Sequence, residues 1–573
     1  MKKQWHIHRP DNEKVKAIQR YLNCSSIIAT ILCNRNIKSP QLATDFLSSS
    51  LHNLTSPDTI QDMDPATERI ERALLCNEKM LIIGDYDVDG VAATAMLYSF
   101  LKRIGAKVVY HIPHRINEGY GLSIHHIHKI AMLMGIKLII TVDNGSASYN
   151  AVKTADAAGI DVIITDHHRI PASLPKAVAV VNPKRTDCCS NLEYLSGVGV
   201  AFYLLICLRK RLREKGFWRK KKEPNLKNWC DLVALGTIAD MVPLIADNRI
   251  LTKTGIDLIN CAPRPGISAL IKSSLKSSKI DNPAIDAEDM AFRLIPRLNA
   301  AGRMEHADSA IELLLAPNFG MAQSLSEKLN YLNVLRKDTE NTIIKSIELM
   351  LAKPSFKNRK SIIIAKENWH EGVLGIVAAR ISNRFIKPTI VFTEKNGLAK
   401  GSARSIPGLD IYAAISACKK DLIQFGGHAS AAGLTLKSTD LARFKEQFED
   451  TIANMTNANH FIKKISIDCE VFFENIDPTL LDELEALQPF GQDNPAPLFM
   501  AKNIEILSST PLGQNHRRMI LRQQGNAHKR IQAIQFNVDS NEKLPEKLNQ
   551  MAFRLQWNHW NGSRKIQLVV EET

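Results

Sequence analysis

The sequence predicts an α/β chain: a parallel-sheet domain, a smaller α/β domain joined to it by a long helix, and a C-terminal all-β barrel. Three observations predict it. Between residues 79 and 181 short apolar runs alternate with helix-like stretches, the pattern of a mostly parallel sheet with helices on its faces. Residues 322–353 keep apolar side chains at helical spacing through an otherwise polar stretch. Beyond residue 500 the helical pattern is lost, and strand-like runs follow one another across polar turns.

Residues 1–60 contain short amphipathic stretches, VKAIQRYL and SIIATILCNR, and read as a helical lead-in. Residues 61–320 form the first domain. Its strands are expected at 80–83, 107–112, 138–142, 162–165 and 177–181, and its helices include 91–104 and 123–134. Residues 321–353 form the connecting helix, with Leu325, Leu329, Leu332, Ile343 and Ile347 on one face. Residues 354–457 form the second α/β domain, with strands at 361–365 and 389–393 around a helix at 372–385. Residues 458–573 form the barrel, with strands at 504–508, 518–522, 531–537, 551–557 and 565–571. That count suits an OB-fold.

The chain has 573 residues, 45% hydrophobic and 23% charged, which excludes a wholly disordered protein. Lys plus Arg is 74 and Asp plus Glu 59, so the net charge is 74 − 59 = +15. That excess favours a polyanionic partner, nucleic acid ahead of a membrane surface. No segment is long and apolar enough to span a bilayer, and the basic N-terminus is followed by no apolar stretch, so neither a membrane anchor nor a secretory signal is expected. Ten scattered cysteines without a Cys-x-x-Cys pair read as a reduced, cytoplasmic protein. The basic run at 209–222, RKRLREKGFWRKKK, is either a solvated helix end or a nucleic-acid contact.

In an open α/β sheet, ligands bind beyond the carboxyl ends of the strands. Acidic and histidine residues fall there. LIIGDYDVDG places Asp85, Asp87 and Asp89 after one strand, LIITVDNG places Asp143 after another, and VIITDHH places Asp166, His167 and His168 after a third. DLVALGTIADMVPL adds Asp240 from a helical segment. So many carboxylates cannot ionise together without a cation, because like charges raise one another's pKa. A pair of divalent metals resolves this, and oxygen ligands with one imidazole suit Mg²⁺ or Mn²⁺. Two such ions can activate a water and clamp an in-line phosphoryl displacement. A single strand-end Asp is more often a helix N-cap, and Asp166 could be only that, but independent caps have no reason to recur with this spacing.

Other patterns are weaker. There is no P-loop, and SGVGVAF at 196–202 starts a helix rather than completing a dinucleotide fingerprint. His125, His126 and His128 point in different directions on a helix and read as an exposed face, not a metal cluster.

GDYDVDG, TVDNG, TDHH and ALGTIADMVPL, in this order, resemble the DHH phosphoesterase superfamily. IPRLNAAGRM, WHEGVLGIVAARI, GSARS, GGHASAAGL and QPFGQDNPAPLF extend the likeness to its RecJ nucleases over roughly residues 60–573. The resemblance implies a DHH domain facing a DHHA1 domain across a narrow groove, with an OB-fold on the C-terminal side. It implies an exonuclease that degrades single-stranded DNA 5′→3′ to 5′-mononucleotides with two Mg²⁺ or Mn²⁺ ions, in repair and recombination. By that resemblance Asp87, Asp89, Asp143, His167 and Asp240 are metal ligands, with Asp143 bridging the two ions. Asp85 ligates or orients the others, and His168 contacts the scissile phosphate or leaving oxygen. Asp166 fixes a histidine tautomer. Two positions depart from the family pattern: Ile83 stands where many relatives carry a histidine, which leaves one metal fewer protein ligands, and Leu335 stands where an acid is common.

An exonuclease must recognise an end, and arginine forks and loop N–H groups suit a 5′-phosphate. GSARS offers Ser402 and Arg404, GGHASAAG offers Gly426, Gly427 and His428, NAAGRM offers Arg303, and PHRINEGYGL offers Arg115. These groups are expected to converge across the interdomain groove. In the barrel, Arg517, Arg518, Arg522, Lys529 and Arg530 can track a backbone while Trp557 and Trp560 stack bases, and Phe536 and Phe553 are expected in its core. A helicase and a single-strand-binding protein are possible partners of a monomeric chain. The rival readings are a DHH-type phosphodiesterase of oligoribonucleotides or cyclic dinucleotides, whose chains usually lack the barrel, and a non-catalytic single-strand-binding scaffold, which predicts eroded acidic motifs.

Overall fold

The structure, a computed structural model, describes residues 3–274, 284–356, 358–513, 515–525, 529–538, 544–560 and 563–573. Its contacts divide the chain into two compact units, each discontinuous in sequence.

The first unit comprises residues 55–240 and 254–463. Its larger sheet contains β1 (Lys79–Ile83), β2 (Lys107–His111), β3 (Leu138–Val142), β4 (Asp161–Thr165) and β5 (Ala179–Val181). All neighbours are parallel, in the order β2-β1-β3-β4-β5. Strands covered on both faces must be apolar throughout, and Leu81, Ile82, Ile139, Ile140, Ile163 and Ile164 are all buried. The order reverses between β1 and β3, so the crevice at this switch point opens where their carboxyl ends diverge.

Helix α1 (Val88–Ile104) starts at Asp87, whose carboxylate accepts the N–H of Gly90 at 3.1 Å, and ends at left-handed Gly105. Helix α2 (Gly197–Glu214) is capped by Ser196, so SGVGVAF does begin a helix. Helix α3 (Cys230–Ala239) has Asp240 as its C-cap. The helix expected over 123–134 is instead a single turn at Ile124–His126 that widens into a π-helical turn at Ile127–Ala131. The Ser123–His126 capping box fixes that turn: the Ser123 N–H donates to Nδ1 of His126 at 3.1 Å.

Helix α4 (Ile295–Met304) leads towards α5 (Phe319–Leu351), the 33-residue connector. Leu329, Leu332, Ile343 and Ile347 lie on the buried face of α5. The smaller sheet follows: β6 (Ile362–Glu367), β7 (Thr389–Lys395), β8 (Leu398–Arg404), β9 (Gln424–His428) and β10 (Ala431–Lys437), in the order β9-β10-β8-β7-β6. Only β6 and β7 run parallel, and α6 (Glu371–Phe385) connects them.

The second unit comprises residues 3–54, 241–253 and 464–573. Its barrel strands are β11 (Phe499–Pro511), β12 (His516–Gln523), β13 (Arg530–Phe536), β14 (Lys547–Trp560) and β15 (Ser563–Glu572). They pair as β11-β12-β13-β15-β14, and β14 returns to β11 to close the barrel. The β13–β15 pairing is parallel, so the sheet closes as an OB-fold. The lead-in is not a separate body. Ile18, Ile31 and Leu32 share one core with Phe473, Phe499 and Phe553. Arg249 reinforces this, donating to the carbonyls of Phe46 at 3.0 Å and Leu487 at 2.9 Å. Part of QPFGQDNP serves the same end, because Asn494 accepts from Nε of Arg35 at 2.9 Å and donates to the Pro489 carbonyl at 2.8 Å.

Candidate metal centre and end-binding groove

Each functional carboxylate sits at an element end, where the chain turns and backbone donors are free. Asp85, Asp87 and Asp89 follow β1, Asp143 follows β3, Asp166 to His168 follow β4, and Asp240 ends α3. Asp143 itself is left-handed, with φ of 63°, a conformation costly for a side-chain-bearing residue and concentrated at functional sites.

The ligand atoms form adjoining triads. Carboxylate oxygens of Asp85, Asp87 and Asp143 lie within 4.8 Å of one another, as do the ligand atoms of Asp89, His167 and Asp240. Asp143 joins the two: its Oδ1 lies 3.1 Å from Nε2 of His167, which is 3.5 Å from Asp240 and 3.8 Å from Asp89. Oδ1 of Asp85, Oδ1 of Asp143 and Nε2 of His167 are buried with no hydrogen-bond partner. Buried polar atoms are normally satisfied, so these unmatched atoms, aimed together, fit divalent cations.

The electrostatics agree. Burial, then the neighbouring carboxylates, push Asp85, Asp89 and Asp143 well above the ordinary carboxylate range. Burial and Asp87 push Asp240 up to about 7. Burial and the neighbouring His168 push His167 down to about 3, which leaves it neutral and able to ligate. Two backbone donors hold Asp89 in position, because its oxygens accept the N–H groups of Gly197 at 2.6 Å and Val198 at 2.9 Å. A carboxylate has about four lone-pair sites, so capacity for a cation remains. A Cβ on Gly197 would stand 2.6 Å from Asp143, and one on Gly236 2.5 Å from Asp89.

Asp166 accepts from the N–H groups of Ser146, His167 and His168 and lies 2.8 Å from Nδ1 of His168. Burial opposes a charge on His168, but the Asp166 hydrogen bond overrides it and lifts the imidazole to about 9. His168 is thus a cation at neutral pH, half-exposed beside the triads. Tyr120 completes the setting, donating its hydroxyl to the Asp143 carbonyl at 2.8 Å. Ile83 packs into the sheet core against Leu122 and Ile127, so the family histidine has no polar substitute at that position.

Arg303, Arg115, Arg404 and His428 lie close enough to shift one another's ionisation. Burial and the nearby Arg115 and Arg336 push Arg303 down to about 9, and burial with Arg115 lowers Arg404. Partial burial, Arg404 and His168 lower His428. Cations this close disfavour one another's charge, and an anion relieves that. Arg404 is aimed by hydrogen bonds to Oγ of Ser402 at 3.1 Å and the Ala403 carbonyl at 2.8 Å, and Arg115 lies over the Tyr86 ring at 4.8 Å. Arg303 donates to the Gly372 carbonyl at 3.3 Å, which ties α4 to α6. A Cβ on Gly427 would collide with the Ala431 carbonyl at 2.3 Å, so that position of β9 takes only glycine.

In the barrel the expected set divides. Arg517 is only 1% exposed and is a correction: strand alternation sends residues 517, 519 and 521 inward and 518, 520 and 522 outward. Arg522 is ion-paired with Glu505. Trp557 is a second correction: it packs against the core, with Arg564 over its ring at 4.3 Å. Lys529 donates to the Glu474 carbonyl at 3.2 Å. Arg518 and Arg530 remain exposed, lining a hollow of about 460 Å³ with Thr510 and Ile520. Phe553 fills the core as expected, but Phe536 is exposed. The Trp560 side chain lies outside the described residues. Four of the nine basic residues in the run at 209–222 are in ion pairs, Arg209 and Arg213 with Glu223, Lys210 with Asp58, and Arg211 with Glu71. Tyr120, Gly197 and the α2 N–H groups are not singled out by sequence for this site. Only the GY of PHRINEGYGL and the first Gly of SGVGV hint at them.

Comparison with known proteins matches three stretches of the chain to family models. Residues 79–237 match the DHH family N-terminal domain, 359–454 the DHHA1 domain and 467–572 the RecJ OB domain. The single-stranded-DNA-specific exonuclease RecJ of Bacillus subtilis is 34% identical over 100% of this chain and 71% of its own length. That of Haemophilus influenzae is 36% identical over 92% of this chain and 93% of its own. The crystal structure of RecJ from Thermus thermophilus in complex with Mn²⁺ superposes with a TM-score of 0.83 at 26% identity, covering 99% of this chain and 79% of that one. The Mg²⁺ complex gives 0.78.

Proposed function

Because this chain belongs to the RecJ family of single-stranded-DNA-specific exonucleases, we propose that it removes 5′-mononucleotides from single-stranded DNA in the 5′→3′ direction. The observation that carries the reading is the pair of carboxylate triads joined through Asp143 and His167, with ligand atoms buried and unmatched. Asp85, Asp87, Asp89, Asp143, His167 and Asp240 would hold two Mg²⁺ or Mn²⁺ ions. When bound, these supply Lewis acidity at both oxygens of an in-line phosphoryl displacement.

The chain's own residues do the rest. His168, kept protonated by Asp166, offers a proton and a positive charge to the scissile phosphate. Tyr120 holds the Asp143 turn in place. Arg115, Arg303, Arg404 and His428 take the terminal 5′-phosphate, with Ser402 aiming Arg404. Arg303 and Asp87, like His428 and His168, are near enough to shift each other's ionisation, so an end held there would lie beside the metal centre, in keeping with mononucleotide products. Arg518 and Arg530 on the barrel contact the strand backbone without reading sequence.

Labour divides accordingly: cleavage in residues 61–320, linkage in 321–353, end capture in 354–457 and strand holding in 458–573. All ten cysteines are free, in keeping with a reducing cytoplasm; the proposed setting is repair and recombination, with a helicase and a single-strand-binding protein as partners of a monomer. No helix among the described residues is long and apolar enough to cross a membrane.

The test uses single-stranded DNA labelled separately at each end, with Mn²⁺ or Mg²⁺ and Asp143→Ala as control. Immediate release of a 5′-labelled mononucleotide, gradual shortening of the 3′-labelled strand and loss of both in the variant support the reading. Tight binding without cleavage under either metal replaces it with a strand-binding scaffold.

A further inference from the structure

The stretch from Ile112 to Ser123, between β2 and the turn at Ile124–His126, carries Arg115 but holds neither helix nor strand. Glu118 lies at the centre of its hydrogen bonding. We propose that Glu118 is a positioning residue: it closes the turn at residues 114–118 around Arg115, anchors that turn to the sheet, and so holds the arginine ready for the terminal 5′-phosphate. This deepens the exonuclease reading and rests on it.

One set of contacts closes the turn. Oε1 of Glu118 accepts the His114 N–H at 3.1 Å, and the Glu118 N–H donates back to the His114 carbonyl at 2.9 Å. Arg115 is the first residue inside the ring that these two bonds make. Nδ1 of His114 accepts the N–H groups of Ile116 at 3.1 Å and Asn117 at 3.2 Å, so the backbone after Arg115 is satisfied without regular structure. Arg115 lies over the Tyr86 ring at 4.8 Å and has no ion pair among the described residues, which leaves its aim to the turn.

A second set anchors the turn. Oε2 of Glu118 lies 2.8 Å from Nε2 of His111, the last residue of β2, and 3.0 Å from Nε2 of His126. His126 is fully buried, which corrects the expectation of an exposed face there. Its Nδ1 accepts the Ser123 N–H, so its Nε2 carries the proton and donates to Glu118. The cluster is thereby a hydrogen-bond anchor and not a metal site. Burial opposes a charge on Glu118, but the bonds from His111 and His114 override it and hold the carboxyl well below its ordinary range. The anchor also adjoins the helix that carries Arg303. His306, two residues beyond α4, pairs with Asp308 at 3.0 Å, and its ring centre lies 5.7 Å from that of His114 and 6.4 Å from that of His111.

The experiment compares steady-state cleavage of 5′-phosphorylated single strands by the full chain with Mn²⁺ and by Arg115→Ala, Glu118→Ala and the double variant. Each single change should raise KM about tenfold, with the loss in KM rather than kcat. The double variant should lose no more than Arg115→Ala alone, because Glu118 acts through Arg115. Glu118→Gln should recover part of the loss, since its carbonyl still accepts from the imidazoles, and it replaces Glu118→Ala in the cycle should that variant fail to fold. Losses that multiply in the double variant, or an unchanged KM in the Glu118 variant beside a raised one in Arg115→Ala, overturn the positioning role and leave the exonuclease reading intact. An unchanged KM in Arg115→Ala overturns its place in end capture, and the role given to Glu118 falls with it.

Discussion

Nδ1 of His168 lies 2.8 Å from Oδ1 of Asp166, and this hydrogen bond makes the imidazole a cation at neutral pH, at about 9. Asp166→Asn removes the charge while leaving burial, which alone lowers a histidine. The alkaline limb of the cleavage rate is expected to move to lower pH, towards the ordinary histidine value of about 6.5 or below, if the protonated form plays the role proposed for it. The rate at pH 7.5 should fall roughly 10- to 100-fold, the usual cost of losing such a supporting partner. A pH–rate profile with an unmoved alkaline limb counts against the role given to His168.

Metal removal should make stability depend on pH, with a definite sign. Asp85, Asp89, Asp143 and Asp240 have folded pKa values above those of the unfolded chain, Asp240 at about 7. The metal-free fold therefore holds protons that the unfolded chain has released above about pH 4. Its stability is greatest below that value and is lost as pH rises towards 7. The expected outcome is a Tm in EDTA that falls between pH 5 and 8, with a stabilisation by Mn²⁺ that widens over the same interval. Equal Mn²⁺ stabilisation at pH 5 and pH 8 would speak against the cluster as the binding site.

What is legible in the sequence, and what is not, follows from the range of the interactions. β1, β3 and β4 are continuous apolar runs because both faces are covered, and the acids just beyond them follow from strand polarity. The support of Asp89 by Gly197 and Val198 joins residues more than a hundred positions apart, which no local pattern records. Arg517 escapes sequence reasoning because a basic run shows charge but not the phase of strand alternation, which decides which of its members faces the interior. The lead-in helices read as a separate segment because the core they share with Phe499 and Phe553 is assembled from opposite ends of the chain.

Arg404 offers a way to test end recognition apart from chemistry. Its guanidinium is aimed by Ser402 and does not join the metal triads. Arg404→Ala should raise KM for 5′-phosphorylated single strands about tenfold or more, as expected when a charge-assisted hydrogen bond is removed, while 5′-hydroxyl strands change little. An equal loss on both substrates would move Arg404 from end recognition to general strand binding.

The barrel arginines should also separate. Arg518 and Arg530 are exposed, whereas Arg517 is enclosed and Arg522 is neutralised by Glu505. Arg518→Ala with Arg530→Ala should weaken single-strand affinity and reduce the salt dependence of log Kd by roughly 0.7 for each phosphate no longer neutralised, with the melting temperature unchanged. The same fall in salt dependence in Arg522→Ala would show that its ion pair opens to DNA.

Gly197 offers the sharpest test of how the fold shapes the metal centre, because it touches both triads and carries no chemistry. Its N–H holds Asp89 at 2.6 Å, and an added Cβ would stand 2.6 Å from the Asp143 carboxylate. Alanine fits a helix better than glycine, so on propensity alone Gly197→Ala should stabilise the chain. Overpacking acts in the opposite direction by about 1–3 kcal/mol, and here it falls on a left-handed aspartate with little room to yield. We expect the Asp143 side chain to move, Mn²⁺ affinity to drop and cleavage to fall with it, while far-ultraviolet circular dichroism stays unchanged. Raising Mn²⁺ should recover part of the rate. Full activity in Gly197→Ala at limiting Mn²⁺ would mean that Asp143 does not need the position it occupies against α2.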